Sequence, residues 1–450
     1  MRRTRSILAA VAAAGLLVTS ACSSDPAPVA GSTPPVASSS DAAVDPTTDA
    51  VEPTTDAATS DAATSDAATD AATSEPTDAP ATTGGGDTSE DSEWFVKADY
   101  ERQLAQRSVT PEGDPATPWL QAIEPEYVDT SAFKADGPQN LCFSNASTGN
   151  PWRATGYTTM VSQVEVLQEA GVIGEYTYAD AADNDEQQIT DIQNFISGGT
   201  CDALIVSPST TATLTPAVEA ACASGIPVIV FDRGVNTDCS TTFIHPIGGY
   251  AYGADGANFL VDNLEPGSRV LALRIAPGVD VLENRYAAAE RIFNEAGIEI
   301  IAAEFTGGDG AKIKEIVAGA LEQGEIDGLW TDAGAGILSA IEAFEDAGVD
   351  YPLFVGEDEM TFLRKWQAED LNGIGLVYSN FQWRTAVLAA QKIWAGEEVP
   401  KEWVLPQVPV TTTEERDALI ETYKDMPDLF YARFGGDDLP AYPGGYTGNR

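Results

Sequence analysis

The feature that most limits how this chain can fold is a repeated alternation. A short run that is almost wholly apolar gives way to a polar residue or a glycine, and a stretch with apolar residues at helical spacing follows. Asn140-Leu-Cys-Phe-Ser-Asn145 opens into Gly149-Asn150-Pro151-Trp152, and Met160, Val161, Val164 and Leu167 then recur at the spacing of a helix face. Ala203-Leu-Ile-Val206 ends at Ser207-Pro208, a helix is expected from about Leu214 to Ala223, Gly225 stops it, and Ile226-Pro-Val-Ile-Val-Phe231 reads as the next strand. A second series places strands at Arg269 to Leu273, Glu299 to Ala302, Gly328 to Trp330 and Leu353 to Val355. Helices are expected between them over Asn284 to Ala296, near Ile313 to Leu321 and over Ile337 to Ala347. Strands with no polar face are covered on both sides, which implies parallel strands with crossover helices. The expected fold class is α/β: two parallel-sheet lobes joined by a hinge.

The two ends of the 450-residue chain lack this pattern. Arg2, Arg3 and Arg5 precede an apolar stretch from Ile7 to Val18 that is too short to anchor as a spanning helix, so residues 1–22 read as an export signal. Residues 23–92 hold Ala, Thr, Ser, Pro, Gly and acids with no Lys, Arg or aromatic residue, and cannot bury enough apolar surface to fold. They read as a disordered Ala/Thr/Ser/Asp spacer.

Charge removes several functions. The chain carries 70 Asp and Glu against 24 Lys and Arg, for a net charge of −46. Three arginines in the signal, and fourteen acids without a base in residues 23–92, leave the remainder at −35. Such a chain is not expected to hold nucleic acid or an anionic membrane surface. A single histidine, His245, excludes mechanisms that need two imidazoles and argues against a histidine-rich metal site. Beside Pro246, it reads as a packed residue rather than a ligand. No cofactor and no metal are expected. Asp183-Asn-Asp185 has Gln188 and Asn194 where a calcium loop needs glycine and glutamate. The Gly334-Ala-Gly336 turn has Ser339 where a dinucleotide loop needs its third glycine.

In open parallel sheets, ligands bind beyond the C-terminal strand ends. The polar residues placed there are Asn150 and Trp152, Asn184, Ser207, then Asp232 with Arg233; in the second lobe they are Glu283 and Arg285, Asp332, and Glu357 with Asp358. A planar ring with amides and both charge signs suits a polyhydroxylated ligand: the ring covers its apolar face and forked groups share its hydroxyls. The set contains no nucleophile–base pair, so no catalytic residue and no enzymatic activity are expected.

The chain resembles the exported sugar-binding proteins of ATP-driven (ABC) importers, of the ribose-binding type, over about residues 138–411. Asn150-Pro151-Trp152 is similar to the family's Asn-Pro-aromatic signature. Asn184, nine residues before Gln193, matches its second-loop Asn, Gly225 to Arg233 matches the strand ending in its ligand-binding Asp-Arg, and Gly356-Glu-Asp358 is similar to its Gly-x-Asp. The resemblance implies Rossmann-like lobes of the type 1 periplasmic binding protein. It also implies ligand contacts at Asn150, Trp152, Asn184, Asp232, Arg233, Glu283, Arg285, Asp332, Asp358 and, in the hinge segment Val377 to Gln382, Asn380. Lobe 1 is expected over 138–247 plus about 380–397, lobe 2 over 248–379 plus about 398–411, with extensions at 93–137 and 412–450. The second lobe's carboxylates argue for a neutral or cationic ligand over an acidic one. Val18-Thr-Ser-Ala-Cys22 resembles a lipobox, which would make Cys22 a lipidated N-terminus and place the protein on the outer face of the cytoplasmic membrane. The implied partners are a sugar or polyol and the importer's permease subunits, the receptor acting as a monomer. A sugar-sensing receptor on the same fold, or an exported carbohydrate-acting enzyme using Glu283, Asp332 or Asp358, are the alternatives.

Four further cysteines in an oxidising compartment point to disulfides, with three possible connectivities. Cys201 starts a strand, Cys222 ends the following helix and Cys239 precedes another strand, which favours Cys142–Cys201 and Cys222–Cys239.

Overall fold

The computed structural model describes residues 91–334, 336–433, 435 and 439; the signal segment with Cys22, and all but the last two residues of the spacer, lie outside them. Helix α1 (Lys97–Gln106) and strand β1 (Tyr127–Val128) come first. The first lobe then runs through β2 (Gln139–Asn145), α2 (Pro151–Glu169), β3 (Ile173–Asp180), α3 (Asp185–Gly198), β4 (Ala203–Ser207), α4 (Thr211–Ala223), β5 (Val228–Phe231) and β6 (Thr242–Pro246). The second has α5 (Gly249–Asn263), β7 (Arg269–Arg274), α6 (Asp280–Ala296), β8 (Glu299–Phe305), α7 (Gly310–Leu321) and β9 (Gly328–Thr331), then α8 (Ile337–Ala347), β10 (Leu353–Glu357), α9 (Met360–Ala368) and β11 (Gly373–Leu376). The chain returns through α10 (Gln382–Ala395), β12 (Val399–Pro400) and β13 (Glu402–Leu405), and α11 (Thr413–Thr422) follows.

Two all-parallel sheets result, with strand orders β13-β6-β5-β4-β2-β3 and β11-β10-β9-β7-β8. The apolar runs are explained by burial on both faces. Phe143, Ile205, Ile229 and Phe231 join α2 and α10 in one core, while Cys142, Leu204, Val206, Val228 and Val230 join α3 and α4 in another. The second sheet divides likewise, with Leu271, Leu273, Leu329 and Phe354 on one side and Val270, Ala272, Trp330 and Val355 on the other.

Among the described residues, the sheets of the two lobes are joined by the β6–α5 step at Ile247, the β11–α10 step, and the stretch after β13, whose Val410 bridges Gly375 of the second sheet. The second lobe is expected to include about 398–411. Glu402–Leu405 instead pairs with β6 and extends the first sheet, so only the end of that stretch joins the second. Four residues with one charge carry too little pattern to choose between two sheets. Helix α2 sits against α10 because residue 156 is glycine: a Cβ there would lie 2.3 Å from the Trp383 ring.

Both disulfides form, Cys142–Cys201 with Cα atoms 5.6 Å apart and Cys222–Cys239 with 6.0 Å. The first closes 59 residues and the second 17. Chain entropy then assigns about 4 kcal/mol to the first and about 3 kcal/mol to the second. Cys142→Ala/Cys201→Ala is accordingly expected to lower the urea midpoint more than Cys222→Ala/Cys239→Ala. An equal or reversed order would show that strain or residual unfolded structure outweighs loop length.

The described parts of both end segments join the lobes. Trp119 and Ala122 join the first lobe's core, and Tyr423, Met426, Phe430 and Ala432 join the second's. At the hinge, Arg107, the residue after α1, donates to the carbonyls of Gln407 and Ala251 and pairs with Asp255.

Candidate functional site

A cavity of about 540 Å³, counting its opening, lies where the C-terminal ends of both sheets face each other. Its first-lobe wall is Asn150, Trp152, Arg153, Asp232 and Arg233; Arg285 and Glu357 stand opposite, with Tyr378 from the hinge. It adjoins a wider opening of about 1580 Å³ that shares Asn150, Arg153 and Arg233 and takes in Asn184.

Local sequence rules place the first-lobe groups. Asn150 caps α2 by accepting from the Arg153 amide at 2.8 Å, with Pro151 in the first turn. That cap turns Trp152 and Arg153 inward. Trp152 donates from Nε1 to the Tyr378 carbonyl at 2.7 Å, and its own carbonyl accepts from Asn380 Nδ2 at 2.7 Å. The two rings lie 5.7 Å apart, so the tryptophan face is fixed by the hinge segment. Arg153 donates to Asp232 Oδ2 at 2.7 Å and to Ser207 Oγ at 3.3 Å. Asp232 follows β5 in the left-handed region, at φ 71°, which turns its carboxylate back onto Arg153. Arg233 reaches the Ser209 carbonyl; burial, then the neighbouring Arg153, push its guanidinium down to about 10.

In the second lobe, Arg285 lies over the rings of Tyr252 and Tyr378, at 3.9 and 4.6 Å, and donates to the Asp332 carbonyl. Its partner across the cavity wall is Glu357, 4.0 Å away, whose oxygens also accept from Tyr252 at 2.7 Å and Tyr431 at 3.0 Å.

Of the ten expected contacts, Asn150, Trp152, Asp232, Arg233 and Arg285 line the cavity, while Asn184 caps α3 at its mouth, accepting from Gln187. The other four do not line it and have partners of their own. Glu283 takes Arg274 and the Gly278 amide, Asp332 takes the Ile275 amide at 2.9 Å, Asp358 takes the Arg433 amide at 2.6 Å, and Asn380 holds Trp152. This corrects the expected carboxylate-rich second wall: the charged side chains lining the cavity are three arginines and two acids, Asp232 and Glu357. His245 is 7% exposed and bonds Glu402 at 3.0 Å, away from the cavity.

A family described as the periplasmic binding protein domain matches residues 141–398, more than half of the chain. The chain belongs to this family. Among relatives, this binding protein is 26% identical over 180 residues to the ribose import binding protein of Bacillus subtilis (strain 168), a match spanning 40% of this chain and 58% of that one. It is similar in structure to an ABC transporter solute binding protein from Thermobispora bispora DSM 43833, with TM-score 0.59 and 21% identity, covering 68% of this chain and 96% of the other. A second, from Bacillus halodurans C-125 with bound myo-inositol, gives TM-score 0.57 and 21% identity over 63% and 98%. At these identities the structural likeness is one of fold.

The wall residues outside the ten expected contacts are Arg153, Glu357, Tyr378 and Tyr431, of which Glu357 is named among the polar residues beyond the strand ends. Arg153 and Glu357 each neighbour an expected residue: helix start and strand end place the wall but do not choose between two adjacent side chains. Tyr431 lies beyond the matched family region, and no local pattern connects it to the cleft.

Proposed function

We propose that this protein is an extracytoplasmic solute receptor that captures a sugar or polyol between its lobes and hands it to an ABC importer. The observation that carries this reading is the cavity itself: a tryptophan face, two carboxylates and three guanidinium groups drawn from both lobes. Such a wall suits a ligand with apolar ring faces and hydroxyls that both donate and accept. Ligand that touches both lobes favours the closed arrangement by its differential affinity, which is the signal a permease can read. The relatives' ribose import role and bound myo-inositol agree with polyhydroxylated cargo. Cys22 serves as the lipid anchor, the spacer lets the lobes stand off from the membrane, and Asn150, Trp152, Asp232, Arg233 and Arg285 hold the solute. The protein binds and releases its solute unchanged.

A thermal-shift screen of the purified protein against pentoses, hexoses, polyols, amino sugars and amino acids tests this reading, because ligand that binds only the folded state raises the melting temperature. A sugar or polyol is expected to raise it, and Trp152→Ala to remove the rise. A rise with amino acids alone would sink the sugar assignment.

A further inference from the structure

The segment after α11 does more than finish the second lobe. Phe430 is fully buried in that lobe's core, and the backbone from Asp428 to Ala432 is tied to the start of α9: Thr361 donates to the Asp428 carbonyl at 2.8 Å, Met360 to the Phe430 carbonyl at 2.8 Å, and Ala432 to the Asp358 carbonyl at 2.8 Å. Arg364 adds bonds to the carbonyls of Tyr423, Lys424 and Met426. The chain then reaches the first lobe, where Arg384 of α10 donates to the Gly435 carbonyl at 2.9 Å while lying 4.0 Å over the Trp119 ring. Between these two anchorages Tyr431, 1% exposed, lines the cavity and donates to Glu357. Two residues on, the Arg433 amide occupies Asp358, the carboxylate expected at the ligand.

Resting on the reading of the cavity as a solute site, we propose that this terminal strap is part of that site. Tyr431 closes the second-lobe wall and positions Glu357, thereby selecting solutes that place a hydroxyl at that carboxylate. Glu357 has two phenols, Tyr252 and Tyr431, one on each oxygen. Removing the second frees the carboxylate to rotate toward Arg285, and a ligand hydroxyl then meets a differently directed acceptor. Because Asp358 is engaged by the strap, Glu357 is the carboxylate that the second lobe presents.

The test uses the full chain. Calorimetry with whichever probe stabilises the wild type, from D-ribose, L-arabinose, myo-inositol, D-fructose and the screened amino acids, is repeated on Tyr431→Phe, which removes only the hydroxyl. Dissociation constants about tenfold weaker are expected, unequal across probes, with the ligand-free melting temperature little changed. Thr361→Val loosens the strap away from the cavity and is expected to leave affinity within about twofold. Equal losses in both variants, or none in Tyr431→Phe, would overturn the proposal. Hydrogen exchange on the ligand-free protein checks the docking separately: the Met360, Ala432 and Arg433 amides are expected to exchange slowly as a group, and fast exchange there would overturn it whatever the solute is. A solute that is not a sugar or polyol, with the Tyr431 effect intact, would overturn only the cargo reading.

Discussion

Asp232→Ala is expected to remove about 3–5 kcal/mol of unfolding free energy and to abolish the ligand-induced rise in melting temperature. Asp232 is 6% exposed and Arg153 2%, so deleting the carboxylate leaves a buried guanidinium with Ser207 as its remaining named acceptor, and Arg233 with Asp183 alone as an acidic neighbour. Desolvating an unpaired charge costs far more than the pair contributes against water, which is why removing one partner is the damaging change. The backbone adds a second effect. At φ 71° a non-glycine residue carries a steric cost that Asn tolerates better than Ala and Gly avoids. Urea midpoints are therefore expected to fall in the order Asp232→Asn, Asp232→Gly, Asp232→Ala, with the last two about 1 kcal/mol apart. Tyr378 bonds the Asp232 carbonyl, at 3.0 Å, and retains that bond in all three. A loss below about 1 kcal/mol in Asp232→Ala would mean that water enters freely and that the pair is worth no more than a surface bridge.

The sheets were legible because their strands are buried on both faces, a condition that writes itself as an unbroken apolar run in the residues from Leu204 to Val206 or Val228 to Phe231. Helices α5 and α10 were not legible for the same physical reason. Helix α10 buries ten residues including Gln382, Arg384 and Thr385, so polar side chains inside the core blur its apolar spacing. Strand β11, Gly-Ile-Gly-Leu, is four residues long and half glycine. In the site, strand ends located the wall but not the inward side chain. Asp358 follows β10 as Asp232 follows β5, yet the strap takes its oxygens and Glu357 faces the cavity. That choice is made by residues more than seventy positions away, which no local pattern can register.

The second lobe also buries three acids, and these set the protein's response to pH. Asp332, Asp358 and Glu359 are 0%, 1% and 4% exposed. Burial comes first among the causes for all three and pushes Asp332 and Asp358 up to about 7 and Glu359 to about 8. Arg285 and the Ile275 amide oppose it at Asp332, Arg433 opposes it at Asp358, and for Glu359 the adjacent Glu357 and Asp358 raise it further. Since these carboxyls hold protons in the folded chain that the unfolded chain has released, stability is expected to fall as pH rises from about 5 to about 8. Each tenfold difference in proton affinity is worth about 1.4 kcal/mol, so the three groups together amount to several kcal/mol. Glu402, held down at about 2 by His245, works in the opposite sense below about pH 4, which places the maximum near pH 5. General self-repulsion at a net charge of −46 has the same sign as the buried acids, and Glu359→Gln separates them. That variant changes the overall charge by a single unit but removes the one buried carboxyl whose named neighbours are all acids. It is expected to be more stable than wild type at pH 8, to match it at pH 5, and to flatten the slope of urea midpoint against pH. An unchanged slope would assign the pH dependence to the surface, and a midpoint that rises from pH 5 to pH 8 would mean that these carboxyls ionise normally in the folded protein.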